Sequence, residues 1–244
     1  MLPKAPTCLS FIGFLLVWIT SNAYASSACD RSVYYILRGQ YDAALHQLEG
    51  AKTSGASPAE VENLRGLALL MKGANSQALA SFEAALKLQP ALAEARFNRA
   101  IALLRLGDAA KASSEFEKIF SNEQSPLRAE AAYHNGIALD RLGRAADAET
   151  WLNRARTLDP KLDAALLYIG TLRERRGDLQ GAGRAYADYL KTHPDSVIAM
   201  LRFGISAHRA GRVDVARAYL QRVIDASPDS PEAVEARKFL VMWE

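Results

Sequence analysis

Cysteine is nearly absent: of 244 residues only Cys8 and Cys29 are cysteines. Cys8 falls in an N-terminal stretch with the order of a secretory signal, so a processed chain would hold one cysteine and no internal disulfide. Stability must then come from packing rather than cross-links. Surplus charge of one sign is also missing. Thirty Lys+Arg against 27 Asp+Glu leave a formal net charge of +3, which gives no basis for nucleic acid as a partner. The longest apolar run, Leu9 to Thr20, is twelve residues, short of the roughly 20 a bilayer-spanning helix requires. With Lys4 before it and Ala23-Tyr24-Ala25 after it, the run reads as a signal peptide cleaved after Ala25, residues 1–25. The expected product is an exported, periplasmic protein with no transmembrane segment.

Catalytic signatures are equally scarce. The four histidines, His46, His134, His193 and His208, include no pair at the HExxH spacing of a zinc site, and no G-x-S-x-G elbow or P-loop occurs. Gly181-Ala182-Gly183 lies inside a helical pattern and follows no strand, so it does not read as a phosphate cradle. The expectation is a non-enzyme with no cofactor and no metal. Cys29 invites one sharper reading, a lipidated N-terminal cysteine. Ser26 stands where leucine is usual for that modification, and Cys29 lies ten residues beyond Ile19. The residues favour a small, partly buried helix position instead.

What the chain does have is a repeat. Gly39, Gly73, Gly107, Gly143, Gly177 and Gly211 are spaced 34, 34, 36, 34 and 34 residues apart. Seven before each glycine stands a small residue (Ser32, Gly66, Ala100, Gly136, Gly170, Gly204). Five after it comes an alanine (Ala44, Ala78, Ala112, Ala148, Ala182, Ala216), and nine after it a large apolar residue (Leu48, Phe82, Phe116, Leu152, Tyr186, Leu220). Pro90, Pro160, Pro194 and Pro228 close four of the units. The small residue lets a second helix approach the first. The glycine ends the first helix in a left-handed turn. The alanine and the bulky residue share one face of the second helix, and proline stops it. One such helix pair cannot bury its own apolar face, so neighbours must stack.

Length, order and residue types resemble the tetratricopeptide repeat family over roughly residues 25–230. Six units are expected at about 26–58, 59–92, 93–128, 129–162, 163–196 and 197–230, the third enlarged by two residues around Asn122 to Pro126. A C-terminal capping helix over 231–244 would bury Val234, Leu240, Val241 and Trp243. The resemblance implies an all-α, right-handed superhelix whose first helices line a concave protein-binding groove. Carried onto this sequence, the groove takes Phe97, Ile101 and Arg105 from the third unit. The fourth gives Tyr133, Ile137 and Arg141, and Tyr168, Arg175 and Arg209 follow, with Asn63, Asn98, His134, Thr171, Glu174, Arg202 and His208 beside them. An apolar and aromatic floor with polar flanks suits an amphipathic helix or an extended peptide.

Arg105, Arg141, Arg175 and Arg209 each stand two residues before a turn glycine. Such a ladder has two readings: it grips acidic segments of a partner, or it offsets the dipoles of helix C-termini. The lysine and asparagine set by which chaperone-binding members of the family clamp a carboxylate is missing, although Asn98 matches one of its positions. The functional expectation is a non-catalytic scaffold or assembly factor of the cell envelope. Within it, a pilotin-like role in type IV pilus or secretin assembly is one alternative. An accessory role in polysaccharide export or synthesis, served by Phe97, Tyr133 and Tyr168, is the other.

Overall fold

The computed structural model describes residues 28–51 and 55–243. The expected signal peptide and its cleavage site lie outside them. Every regular element among the described residues is an α-helix. In chain order these are α1 (Ala28–Leu37), α2 (Tyr41–Ala51), α3 (Pro58–Lys72), α4 (Asn75–Leu88), α5 (Ala93–Arg105), α6 (Ala109–Ser121) and α7 (Arg128–Arg141). They continue with α8 (Ala145–Leu158), α9 (Ala164–Arg175), α10 (Leu179–Thr192), α11 (Val197–Arg209), α12 (Val213–Ala226) and α13 (Pro231–Met242). Two compact units divide within α8, the first extending to Ala148 and the second running Glu149–Glu244. No helix among the described residues is long and apolar enough to cross a membrane.

Each turn between paired helices is built on the predicted glycine. At Gly73, φ is +91°, a left-handed backbone that costs an L side chain free energy. Its N–H donates to the Leu70 carbonyl at 3.2 Å, and the Ala74 N–H donates to the Leu69 carbonyl at 2.9 Å. Two carbonyls that the helix end would leave bare are thereby satisfied. The other five turn glycines adopt the same positive φ. Side-chain caps start several helices: Asp108 accepts from the Lys111 N–H, Asp178 from Gly181, Ser196 from Ala199 and Ser230 from Ala233.

Within a pair, the small residue and the bulky residue meet as the spacing requires. A Cβ placed on Gly66 would stand 2.5 Å from the Phe82 ring, and one on Gly170 would stand 2.4 Å from the Tyr186 ring. Either distance is far inside van der Waals contact, so the glycine is the slot into which the ring fits. The six recurring alanines are all 0% exposed, and the six bulky residues are at most 2% exposed. Burial of side chains of that size contributes about 1.5–3 kcal/mol each, which explains how the chain is held without cross-links.

Two details depart from expectation or decide between readings. Cys29 is buried in α1 among Val33, Leu48, Val61 and Leu64, the small core residue that the sequence favoured. Burial pushes its thiol above the usual range, with the carboxylates of Glu60 and Asp30 adding to the effect. Of the four residues expected on the inner side of the capping helix, Leu240 and Trp243 pack inward and Val234 and Val241 do not. Val234 and Val241 are 46% and 71% exposed, while Ala233 and Ala236 are buried and Phe239, Leu240 and Trp243 pack against the core. The inward stripe follows 233, 236, 240 and 243, the i, i+3, i+7 rule. A valine one step off that stripe faces solvent.

Candidate functional site

The groove residues sit on the first helices of the repeats: α3, α5 and α7 in the first unit, α9 and α11 in the second. In the first unit the expected apolar floor is largely packed away. Phe97, Ile101, Tyr133 and Ile137 are 3%, 5%, 7% and 6% exposed. Phe97 lies edge-on to Phe116 at 5.7 Å between centroids and to His134 at 5.5 Å. These four side chains are chiefly core, so Phe97 and Tyr133 present little ring surface, while Tyr168 on the second unit stays half-buried. The physical reason is stacking: residues on a first helix that face the next first helix are covered by it.

What the floor retains is a row of polar groups. The Asn98 amide, 4% exposed, donates from Nδ2 to Asn63 Oδ1 on the preceding repeat at 3.2 Å. Next comes His134, stacked on Phe116 and edge-on to Phe97 and Tyr133. Burial, aided by the charge of Arg105, lowers the His134 pKa from 6.5 to about 3, so the imidazole is neutral at physiological pH. A neutral imidazole offers one donor and one acceptor, and an amide offers both as well.

The arginine ladder resolves into a set of contacts with one rule. Arg105, Arg141 and Arg209, each two residues before a turn glycine, reach the residue three before the preceding turn glycine. Arg105 Nη1 donates to the Leu70 carbonyl at 2.6 Å, and Arg141 Nη1 donates to the Leu104 carbonyl. Both carbonyls belong to the last turn of a first helix, where acceptors are left over and a cation is favourable. Two of the four arginines are thus seen capping the helix before them, while their remaining N–H groups stay on an exposed side chain.

In the second unit the same rule meets a carboxylate. Arg209 Nη1 lies 3.0 Å from Glu174 Oε1, and Arg202 Nη1 lies 3.8 Å from Oε2 of the same group. The Glu174 side chain is only 8% exposed, and Tyr186, packed under Gly170, gives its hydroxyl to Oε2 at 3.0 Å. Burial and the Glu174 charge push the Tyr186 pKa up, so the phenol stays a donor. Tyr168 is half-buried and Arg175 exposed on α9. The position that an arginine would hold in the capping helix is Trp243, whose ring stacks on His208 at 3.5 Å with planes 1° apart. The sequence contained this succession, but a search for one residue type at one spacing passes over a tryptophan in an arginine's place.

Among the described residues no group of three or more His, Cys, Asp or Glu is placed to hold a metal. The architecture defines an all-helical repeat protein whose polar row lies along its first helices. The tetratricopeptide repeat model matches residues 97–163 and 167–231, and a further TPR repeat model matches residues 66–107. The chain belongs to the tetratricopeptide repeat family, whose members are in general non-catalytic scaffolds. No curated protein matches the sequence. Among solved structures it is similar to PilW, a widely conserved type IV pilus biogenesis factor, with a TM-score of 0.80 and 22% identity over 90% of this chain and 99% of that one. It is also similar to pilF of Pseudomonas aeruginosa, with a TM-score of 0.73 and 16% identity over 88% and 96% of the two chains. YrrB, a TPR protein with an unusual peptide-binding site, gives 0.57 and 22% over 78% and 97%.

Proposed function

We propose that the protein is an exported, periplasmic assembly scaffold that holds a partner's helix or extended peptide along its first helices. The observation that carries this reading is the polar row Asn63, Asn98 and His134. Buried amides cost free energy unless they serve a contact, and side-chain amides at one-repeat spacing match the hydrogen-bonding needs of a peptide main chain. Arg105 and Arg141 flank the row with N–H groups that their helix-capping bonds leave over. Among envelope processes, pilus or secretin assembly is favoured by the likeness to PilW, whose chain is covered almost end to end. Export is supported by the N-terminal sequence pattern.

The test is site-specific photo-cross-linking in intact cells. A cross-linker at Asn63 or Leu67 should capture one defined protein, and the Asn98→Leu variant should lose most of that product while keeping its helical circular dichroism. A cross-linker at Glu83, exposed on the second helix α4, serves as the reference. Capture of the same proteins from both faces would overturn the groove reading. Mass spectrometry of the mature chain should find Ser26 as its first residue; a chain retaining residues 1–25 in the cytoplasm would overturn the periplasmic assignment.

A further inference from the structure

A second register runs through the repeats, between the two helices of a pair rather than in the groove. In three repeats the residues eight before and eight after the turn glycine meet across the helix pair. In the first repeat Arg31 Nε donates to Gln47 Oε1 at 3.0 Å. In the third, Arg99 Nη2 donates to Glu115 Oε2 at 2.7 Å, and Lys118 adds a second cation at 3.2 Å. In the sixth the couple is Phe203 with Tyr219, ring centroids 4.5 Å apart. The second repeat has Arg65 opposite Ser81. Serine is too short to reach, and Arg65 has neither an ion-pair nor a hydrogen-bond partner among the described residues.

The missing carboxylate leaves a space. A cleft of about 570 Å³ opens there, walled by α2 and α4 and floored by α3. Leu45, Leu48, Val61 and Leu69 give it apolar lining, the exposed Arg65 borders it, and Ser81, a buried residue, lines it from α4. Lys72, also bordering it, is spent on Asp42. We propose that this cleft receives a partner protein's glutamate or aspartate side chain, with an adjacent leucine-like residue on the apolar base and Arg65 as the carboxylate's ligand. The third repeat supplies the template: what Glu115 does for Arg99 from within the chain, the partner does for Arg65 from outside. A guanidinium holds a carboxylate through two parallel N–H bonds, and the Ser81 hydroxyl stands free to give a further one. Glu49 and Glu62 line the same cleft. Their negative charge opposes any anion, so only a carboxylate held directly on the Arg65 guanidinium, with its arm on the apolar base, gains more there than it loses. The site is separate from the groove and stands whether or not the groove reading does.

The test is an NMR titration of the full chain labelled at arginine nitrogen, using acetyl-Leu-Glu-amide, its Gln counterpart and inorganic phosphate. The Arg65 Nε–Hε signal should shift saturably with the Glu peptide, respond at least tenfold more weakly to the Gln peptide and ignore phosphate. In Ser81→Glu, which places a carboxylate where Glu115 stands one repeat on, the melting temperature should rise and the response to the Glu peptide should disappear. Equal responses to Glu and Gln peptides would overturn the proposal. So would saturable binding of phosphate, or an undiminished response in a folded Ser81→Glu protein. Capture of the same proteins from the groove and from Glu83, with an intact Arg65 response, would refute the groove reading alone.

Discussion

Within each unit the same backward contact recurs, with a different acceptor. In the first, Arg105 and Arg141 reach back to main-chain carbonyls, Leu70 and Leu104. In the second, Arg209 reaches back to a carboxylate, Glu174, and Trp243 reaches back to an aromatic ring, His208. A carbonyl is present whatever residue stands there, so the first unit's contact tolerates change in the residue it touches. The second unit's contacts depend on specific side chains. Glu174 also organises Arg202 and Tyr186, so the unit's groove polarity and its packing share one group.

Four measurements test whether the two units differ in this way. The largest effect belongs to acid. His134 in the first unit titrates at about 3 when folded and at about 6.5 when unfolded. Its folded pKa is the lower, so the unfolded chain binds the extra proton between those values. The stability it contributes is complete above 6.5 and falls away as the pH drops toward 3. Urea titrations should show His134→Phe escaping a loss of about 2–3 kcal/mol between pH 7 and 4.5, and equal acid sensitivity in both proteins would refute this. Next, Glu174→Ala leaves two arginines and a phenol without their acceptor; a loss of about 2 kcal/mol is expected, with faster amide exchange in α9 and α11. Trp243→Ala should cost about 1–2 kcal/mol through lost stacking and burial, seen as fraying of α13. Trp243→Arg should recover part of that by capping α11 as Arg141 caps α5. The smallest effect is Arg141→Ala, about 1 kcal/mol, unchanged between pH 5 and 8 because no titrating acid is involved.

Most of the architecture was legible in the sequence because one physical requirement, a slot and a ring, repeats at fixed spacing. Gly66 with Phe82 and Gly170 with Tyr186 satisfy it in space as they do in sequence. The groove was less legible. Periodicity says which helix a residue is on and roughly which side, but Phe97 and Tyr133 are hidden by neighbouring first helices and by His134, a matter of stacking geometry. The facing of the capping helix was half legible for the same reason: Leu240 and Trp243 pack inward as expected, but counting apolar residues could not say that Ala233 and Ala236, not Val234 and Val241, meet the core. The couples eight residues either side of the turn keep that spacing in three repeats, yet their chemistry changes from Arg–Gln to Phe–Tyr. A scan for conserved residue type is blind to a conserved meeting place.

The backward reach of these side chains gives the chain a direction. Leu70, Leu104, Glu174 and His208 are each served by a residue about 35 positions later. A repeat is therefore finished by its successor, not by its predecessor. During synthesis the first helix of a repeat emerges with its last turn uncovered, and stays so until another repeat's worth of chain has followed. Deleting helices from the C-terminal end strips a cap from the repeat left behind, whereas the equivalent deletion at the other end leaves each remaining repeat its cap and only frees the side chain that had served the lost one. Any shortened or lengthened relative must accordingly close its last repeat with a side chain able to do what Trp243 does here.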